Sequence, residues 1–401
     1  MDYSLSARIK TIYLLILSSG LFFTSSTVVL ALLSGFQIVL YFASGLSVQG
    51  LFSAYKRILI LAVIVTISFL FIPSDPTTNH TVLTLFHYPL HLYWGEWPNI
   101  AAMLLRIITL ITASLWVRDS ERSGAFIESL RWLKIPETVA IAVDAGLQLS
   151  QRRKGPKKHG KKKKGGKNKV AITFQQIKSG ELRFFDDLLN KAYQKVNHFL
   201  QERYSNISGA KRHDITIILT VVTAALSLKL LQLLPGLPIA PGHKNLVIVP
   251  LIVIATLATH SRYGGFSAGL AIGISSFLLG YGKFGVLEIA HFALPGLVSD
   301  ILAPLVLAKS RKFLIIRFAL LGAVIGLTRF AANFLIIILA GAPLLAWAAF
   351  LPMLVSQTAF GALSALIGAY IVQKIKSGQL FEVTDATQKK SQSEEESTKN
   401  V

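Results

Sequence analysis

Glu288 and His291 stand three residues apart in one apolar run, and Arg329 and Asn333 stand four apart in another. Such spacings put each pair on one face of a helix. An ionisable side chain inside a hydrocarbon-length run is costly to keep, so it is read as part of a binding site. Together these four residues would line a pocket, open to the outer side, for a polar or anionic small molecule. Glu288 with His291 offers only two metal ligands, so no metal site is assigned. The sequence leaves interhelical pairing open as a competing role for ionisable groups in the membrane. For Asp300 and Arg317 pairing with each other is the expected role. Gln357 is the polar residue of the last run.

The runs that must position these residues dominate the chain. Of 401 residues, 52% are hydrophobic and 15% charged, and the mean hydropathy is +0.55. Soluble domains carry nearer a quarter charged residues, so the balance argues for a polytopic membrane protein. The first apolar stretch is too long for a removable signal peptide and leads straight into more apolar sequence. With no cysteine present, disulfide frameworks, thiolate metal sites and cysteine nucleophiles are excluded.

No charged residue occurs from Thr11 to Ala54. At about 20 residues per crossing, two spans are expected there, 11–30 and 33–52, with 58–73 and 98–117 following. Ser18, Ser19, Gly20, Ser25 and Ser26 read as small residues for close helix packing. The loop 74–97 lacks Lys and Arg but holds Asp75, His80, His87, His91 and Glu96. It also carries Tyr93, Trp94 and Trp97, aromatic residues suited to the headgroup level. Further spans are expected at 214–235, 246–260, 264–281, 285–307, 313–340 and 344–372. The expected fold is all-α, with about ten transmembrane helices and a cytoplasmic helical region between two membrane blocks. Gly265, Gly269 and Gly273 form a four-residue stripe that lets another helix approach closely.

Orientation follows from the basic residues. If the spans alternate, Arg8 with Lys10, Lys56 with Arg57, the stretch 118–212, Arg262, Lys309 to Lys312, and Lys374 with Lys376 share one side. The opposite loops hold Lys244 and Lys283. Both termini are therefore expected in the cytoplasm.

The central stretch 118–212 is the long polar segment. Residues 152–169 place eleven Lys or Arg in eighteen positions with no acid, over half of the net charge of +21. Gly155 to Lys161 imitates a phosphate loop, but Lys162 stands where Ser or Thr would hold magnesium and no strand precedes it. The run also lacks aromatic residues for base stacking, so no specific nucleic acid is expected. A solvated loop near anionic lipid is the plain reading. Leu182, Phe185, Leu189, Ala192, Val196 and Phe199 recur at helical spacing, opposite Asp186, Lys191, Lys195 and Glu202. A second helical segment runs from Arg122 to Gln151, broken at Pro136. These two are expected to form a docking platform, or else to lie on the membrane surface.

The first half, over residues 5–215, resembles the transmembrane T component of energy-coupling factor transporters. The likeness rests on Ser6 to Lys10, Leu104-Leu105-Arg106, Ser129 to Pro136, and Phe199 to Tyr204 followed by Gly209 to Arg212. In that family short Ala-Arg-small motifs dock on the ATPase subunits. The resemblance assigns this role to Arg203, preceded here by Glu202 rather than Ala, and to Arg153. The second half is similar to the substrate-binding S component, through its six runs, Leu234 to Pro238 and Gly264-Gly265. It implies a T-like domain over 1–117, a coupling region over 118–212, an S-like domain over 213–376 and a disordered tail over 377–401. The run 214–235 fits either part, and Gly265, Gly269 and Gly273 are candidates for holding the S-like part against the T-like part. The chain would not itself be an enzyme and would bind no cofactor. ATP would sit on separate subunits driving uptake of a vitamin-like molecule or a metal ion. The alternative is a membrane-anchored interaction protein whose basic loop binds anionic lipid, RNA or an acidic protein.

Overall fold

The computed structural model describes residues 6–24, 26–71, 79–85, 88–120, 125–151, 183–207, 209–229, 242, 244–279, 285–307, 313–339, 347, 350–378 and 380. The basic run 152–169, Asp75, His87 and nearly all of the C-terminal tail lie outside them. The described residues are mostly helical. The first block comprises α1 (Ala7–Phe23), α2 (Thr27–Ala43), α3 (Val48–Phe71) and α4 (Trp97–Asp119). Between α3 and α4 lies an antiparallel hairpin, β1 (His80–Leu85) and β2 (Tyr88–Tyr93), with His80 opposite Tyr93 and Val82 opposite His91. Among the described residues of the polar centre, three helices follow: α5 (Ala125–Trp132), α6 (Glu137–Gln151) and α7 (Arg183–Arg203). The rest is α8 (Gly209–Lys229), α9 (Asn245–Ala258), α10 (Gly264–Leu278), α11 (Leu287–Leu307), α12 (Leu314–Leu339) and α13 (Phe350–Lys376).

Among the described residues, four helices, Trp94–Asp119, Leu287–Leu307, Leu314–Leu339 and Phe350–Lys376, are long and apolar enough to cross a membrane. Their outward faces suit lipid, since Ile315, Leu320, Leu351 and Val355 stand exposed; such patches on a soluble surface would drive association. Helices α2, α9 and α10 are apolar but shorter. At 1.5 Å per residue the 14 residues of α9 reach about 21 Å, less than the ~30 Å hydrocarbon core.

The early boundaries differ from the spans expected at 11–30 and 33–52. Ser26 caps α2, its hydroxyl accepting from the Val29 N–H at 3.5 Å, and a turn at Ser44-Gly45 ends it. Ser26 therefore belongs to a break between helices, not to a packing face; Ser25 lies outside the described residues. The loop expected over 74–97 contains the hairpin instead.

The α7 stripe is as its spacing predicts, with Phe185, Leu189, Ala192, Val196 and Phe199 buried. It is closed against α8 and, less extensively, α6. The stripe is covered by the chain itself, which leaves only the charged face of α7 open. Helix α6 lies deeper than a surface platform would. Residues 139–148 are buried, and Gly146 sits against Leu226, Val222 and Ser275. Helix α8, buried from Ile215 to Leu226, touches α6 and α7 on one side and α9 and α10 on the other, so it serves both halves. The blocks also meet where Ser114 of α4 donates to the Phe277 carbonyl at 3.2 Å.

Gly269 and Gly273 lie against the main chain of Phe292 and Ile289, and Gly265 against that of Gly296. The glycine stripe thus joins α10 to α11 within the second block and does not hold one block to the other.

Candidate functional site

The start of α11 carries Glu288 and His291, both buried, and the C-terminal half of α12 carries Arg329, only 3% exposed. Packing of α11 on α12 brings His291 Nε2 to 2.9 Å from Arg329 Nη2. The guanidinium carbon lies 5.4 Å from the centre of the Phe292 ring, within cation–π range. Glu288 is close enough to act electrostatically on Arg329. Arg329 Nε and Nη1 are buried with no hydrogen-bond partner. Each such donor costs about 1–3 kcal/mol when unsatisfied, so an acceptor placed at these nitrogens would be favourable. Asn333, one turn further along α12, is half-buried. Of the residues singled out in the sequence, the fold joins His291 to Arg329, with Glu288 acting on Arg329 through its charge.

Beside the cluster is an aromatic group that spacing alone did not single out. Phe330 and Phe334 stack at 5.8 Å, and Phe350 meets them edge-on at 5.2 and 5.3 Å. Trp347 closes on Phe334 at 5.1 Å. The four-residue step from Phe330 to Phe334 was the available signal; Trp347 and Phe350 join only through tertiary packing.

Asp300 does not pair with Arg317. Its carboxylate accepts the Gly265 N–H at 2.9 Å and the Phe266 N–H at 2.7 Å, capping the start of α10 from a neighbouring helix. The free N–H groups of a helix start are a strong place for a carboxylate, and they take both oxygens. Gln357 is buried, and its main-chain carbonyl accepts from Asn245 Nδ2 at 2.9 Å.

The other assigned group lies at the end of α7. Arg203 and Glu202 are exposed. The Arg203 guanidinium rests 5.8 Å from the Phe199 ring centre, and Glu202 pairs with His198 at 3.4 Å. Arg153 lies outside the described residues. Nearby, Glu137 pairs with Lys211 and Arg131, each at 2.6 Å, tying α5 and α6 to the start of α8. The hydrogen bond from Lys211, then its charge, holds the Glu137 carboxyl below its ordinary value. Lys374 pairs with Asp186 at 2.6 Å, joining α13 to α7. Between α7, α8 and the end of α13 opens a cavity of about 710 Å³, lined among others by Tyr193, Asn197, Arg212, His213 and Lys376. No sequence pattern marked it, because its walls come from three separate segments.

No family model, no curated protein and no solved structure matches this chain.

Proposed function

We propose that this chain is the membrane component of an energy-coupling-factor-type importer, in which a T-like block and an S-like block share one polypeptide. The buried Arg329, with two unsatisfied donor nitrogens beside His291, carries this reading: it marks a place for an anionic or carbonyl-bearing substrate inside an apolar bundle. In this reading α1–α4 and α8–α13 are the ten membrane helices. The short α9 and α10 lie within the bundle, where neighbouring helices cover their ends. Both termini and α5–α7 face the cytoplasm, in keeping with the basic connections.

Substrate enters from the outer side and reaches Arg329, with Glu288, His291 and Asn333 around it. Separate ATPase subunits dock on the exposed end of α7, through Arg203 and Glu202, with Arg153 as a second contact. Motion imposed there reaches the second block along two routes, the Asp186–Lys374 pair and the buried packing of α6 and α8 against α10. The chain performs no chemistry of its own; ATP is hydrolysed by the partners.

Thermal unfolding of the purified chain in detergent with EDTA present, screened against water-soluble vitamins, tests the pocket. A compound that raises the wild-type Tm should leave that of Arg329→Gln unmoved. Equal stabilisation of both proteins would remove the pocket from the account.

A further inference from the structure

His213 and Asp214 are neighbours in the first turns of α8, and neighbouring residues on a helix point about 100° apart, so the two alone do not chelate. The turn between α9 and α10 brings a third group to them. His260 Nδ1 lies 3.2 Å from Asp214 Oδ1, and His213 Nδ1 lies 3.6 Å from the same oxygen. The two imidazole rings face each other at 4.9 Å, edge to face. The ligand atoms of all three residues fall within 4.8 Å of one another.

We propose that His213, Asp214 and His260 bind one divalent transition-metal ion of the zinc class. Zinc takes imidazole nitrogen and carboxylate oxygen at about 2.0–2.2 Å, which sets tetrahedral ligands about 3.4 Å apart. The present arrangement closes to that geometry by rotation of two exposed imidazoles; the side chains of His213 and His260 are 46% and 65% exposed. The carboxylate is already held, since the main-chain N–H of His260 donates to Asp214 Oδ1 at 2.7 Å. A hydrogen bond that fixes a ligand in this way is the usual support of a metal site. Of the nearby cations, Lys211 pairs with Glu137 and Arg262 lies over the Tyr263 ring, while Arg212 and Lys376 line the cavity beside His213. His213 also lines the 710 Å³ cavity, which gives a water molecule room as the fourth ligand. Two nitrogen ligands in three exclude magnesium and calcium, which prefer oxygen. The inference does not depend on the transport reading, because its residues lie at the opposite end of the bundle from Arg329.

The test uses the full chain in detergent, free of any polyhistidine tag, stripped with EDTA and titrated with Zn²⁺ in a calorimeter. One ion per chain should bind saturably, and millimolar Mg²⁺ should not compete. His213→Ala and His260→Ala should each weaken binding at least ~10-fold, the lower end of what even supporting residues of metal sites contribute. His80→Ala with His91→Ala, on the hairpin, should leave it unchanged. Both site histidines are exposed, so their variants keep the fold, and circular dichroism checks this. Absence of saturable binding overturns the proposal, as does wild-type affinity in His213→Ala and His260→Ala; the latter result would mean a surface ion pair only.

Discussion

Where α1, α2 and α3 gather around α4, side chains make the joins; where α10 meets α11 and α12 meets α13, main chain meets main chain. In the first block Lys10 donates to Ser120 at 2.9 Å, Trp116 to Ser44 at 2.7 Å, Tyr13 to Gln37 at 2.6 Å and Arg106 to the Thr24 carbonyl at 2.8 Å. In the second block Gly269 lies on the Phe292 carbonyl, Gly322 on that of Gly361 and Gly326 on that of Gln357. Hydrogen-bond latches tolerate small shifts of one helix past another. Interdigitated backbones do not, because no side chain can rotate away. The second block is therefore the rigid one, and it holds the buried Arg329; a desolvated guanidinium needs a frame that does not relax around it.

The strongest way to break this contrast is to add bulk to glycines in each block. Gly326→Leu, against the Gln357 main chain, should destabilise by about 3 kcal/mol or more and lower the folded yield, as overpacking does. Around Gly20 and Gly35 the space a methyl group would take is open, with no atom within 4 Å of it. Converting either to Ala should be neutral or stabilising by up to about 1 kcal/mol, since helical glycine costs that much relative to alanine. Thermal unfolding in detergent measures both. Equal losses in the two blocks would dissolve the contrast.

Asp300→Ala ranks next. It strips the cap from the Gly265 and Phe266 N–H groups and should cost about 1–2 kcal/mol, the range for a lost N-cap. Arg317→Ala should leave Asp300 unaffected. A matching loss from Arg317→Ala would restore the ion pair that the geometry replaces.

The differences between sequence and structure have physical causes. Periodicity is local, so the α7 stripe and the break at Pro136, between α5 and α6, were legible. The gap between α1 and α2 was not, because neither charge nor Gly-Pro punctuation marks it; one serine cap does. Asp300 was misassigned because charge points to charge, whereas its partners are backbone N–H groups that nearly every residue carries. The depth of α6 was hidden because its apolar content suits a surface helix as well as a buried one. His213 and His260 drew no notice because only the fold brings them together, while Glu288, His291 and Arg329 announced themselves as charge in apolar sequence.

The smallest expected effect concerns pH at the joint between α5, α6 and α8. Glu137 has its carboxyl held down from its ordinary value of 4.5, chiefly by Lys211. A depressed carboxyl contributes stability that is present above the unfolded value and lost as pH falls through the folded one. Unfolding between pH 7 and 3 should thus show a loss below about 4.5 that Glu137→Gln removes; exposed pairs of this kind contribute only about 0.2–1 kcal/mol. An unchanged acid limb in Glu137→Gln would show that the clamp does not bear on stability.

The central claim is that the exposed end of α7 receives ATPase subunits, whereas the charged cluster between α11 and α12 receives substrate. The direct measurement is vanadate-sensitive ATP hydrolysis that co-purifies with the tagged chain from its native membranes in mild detergent. The wild type, Arg329→Gln and a chain lacking residues 157–169, which keeps Arg153, should all retain it, and Arg203→Glu, an exposed change that leaves the fold intact, should lose it. Hydrolysis that survives Arg203→Glu, or that never accompanies the wild type, would contradict the account.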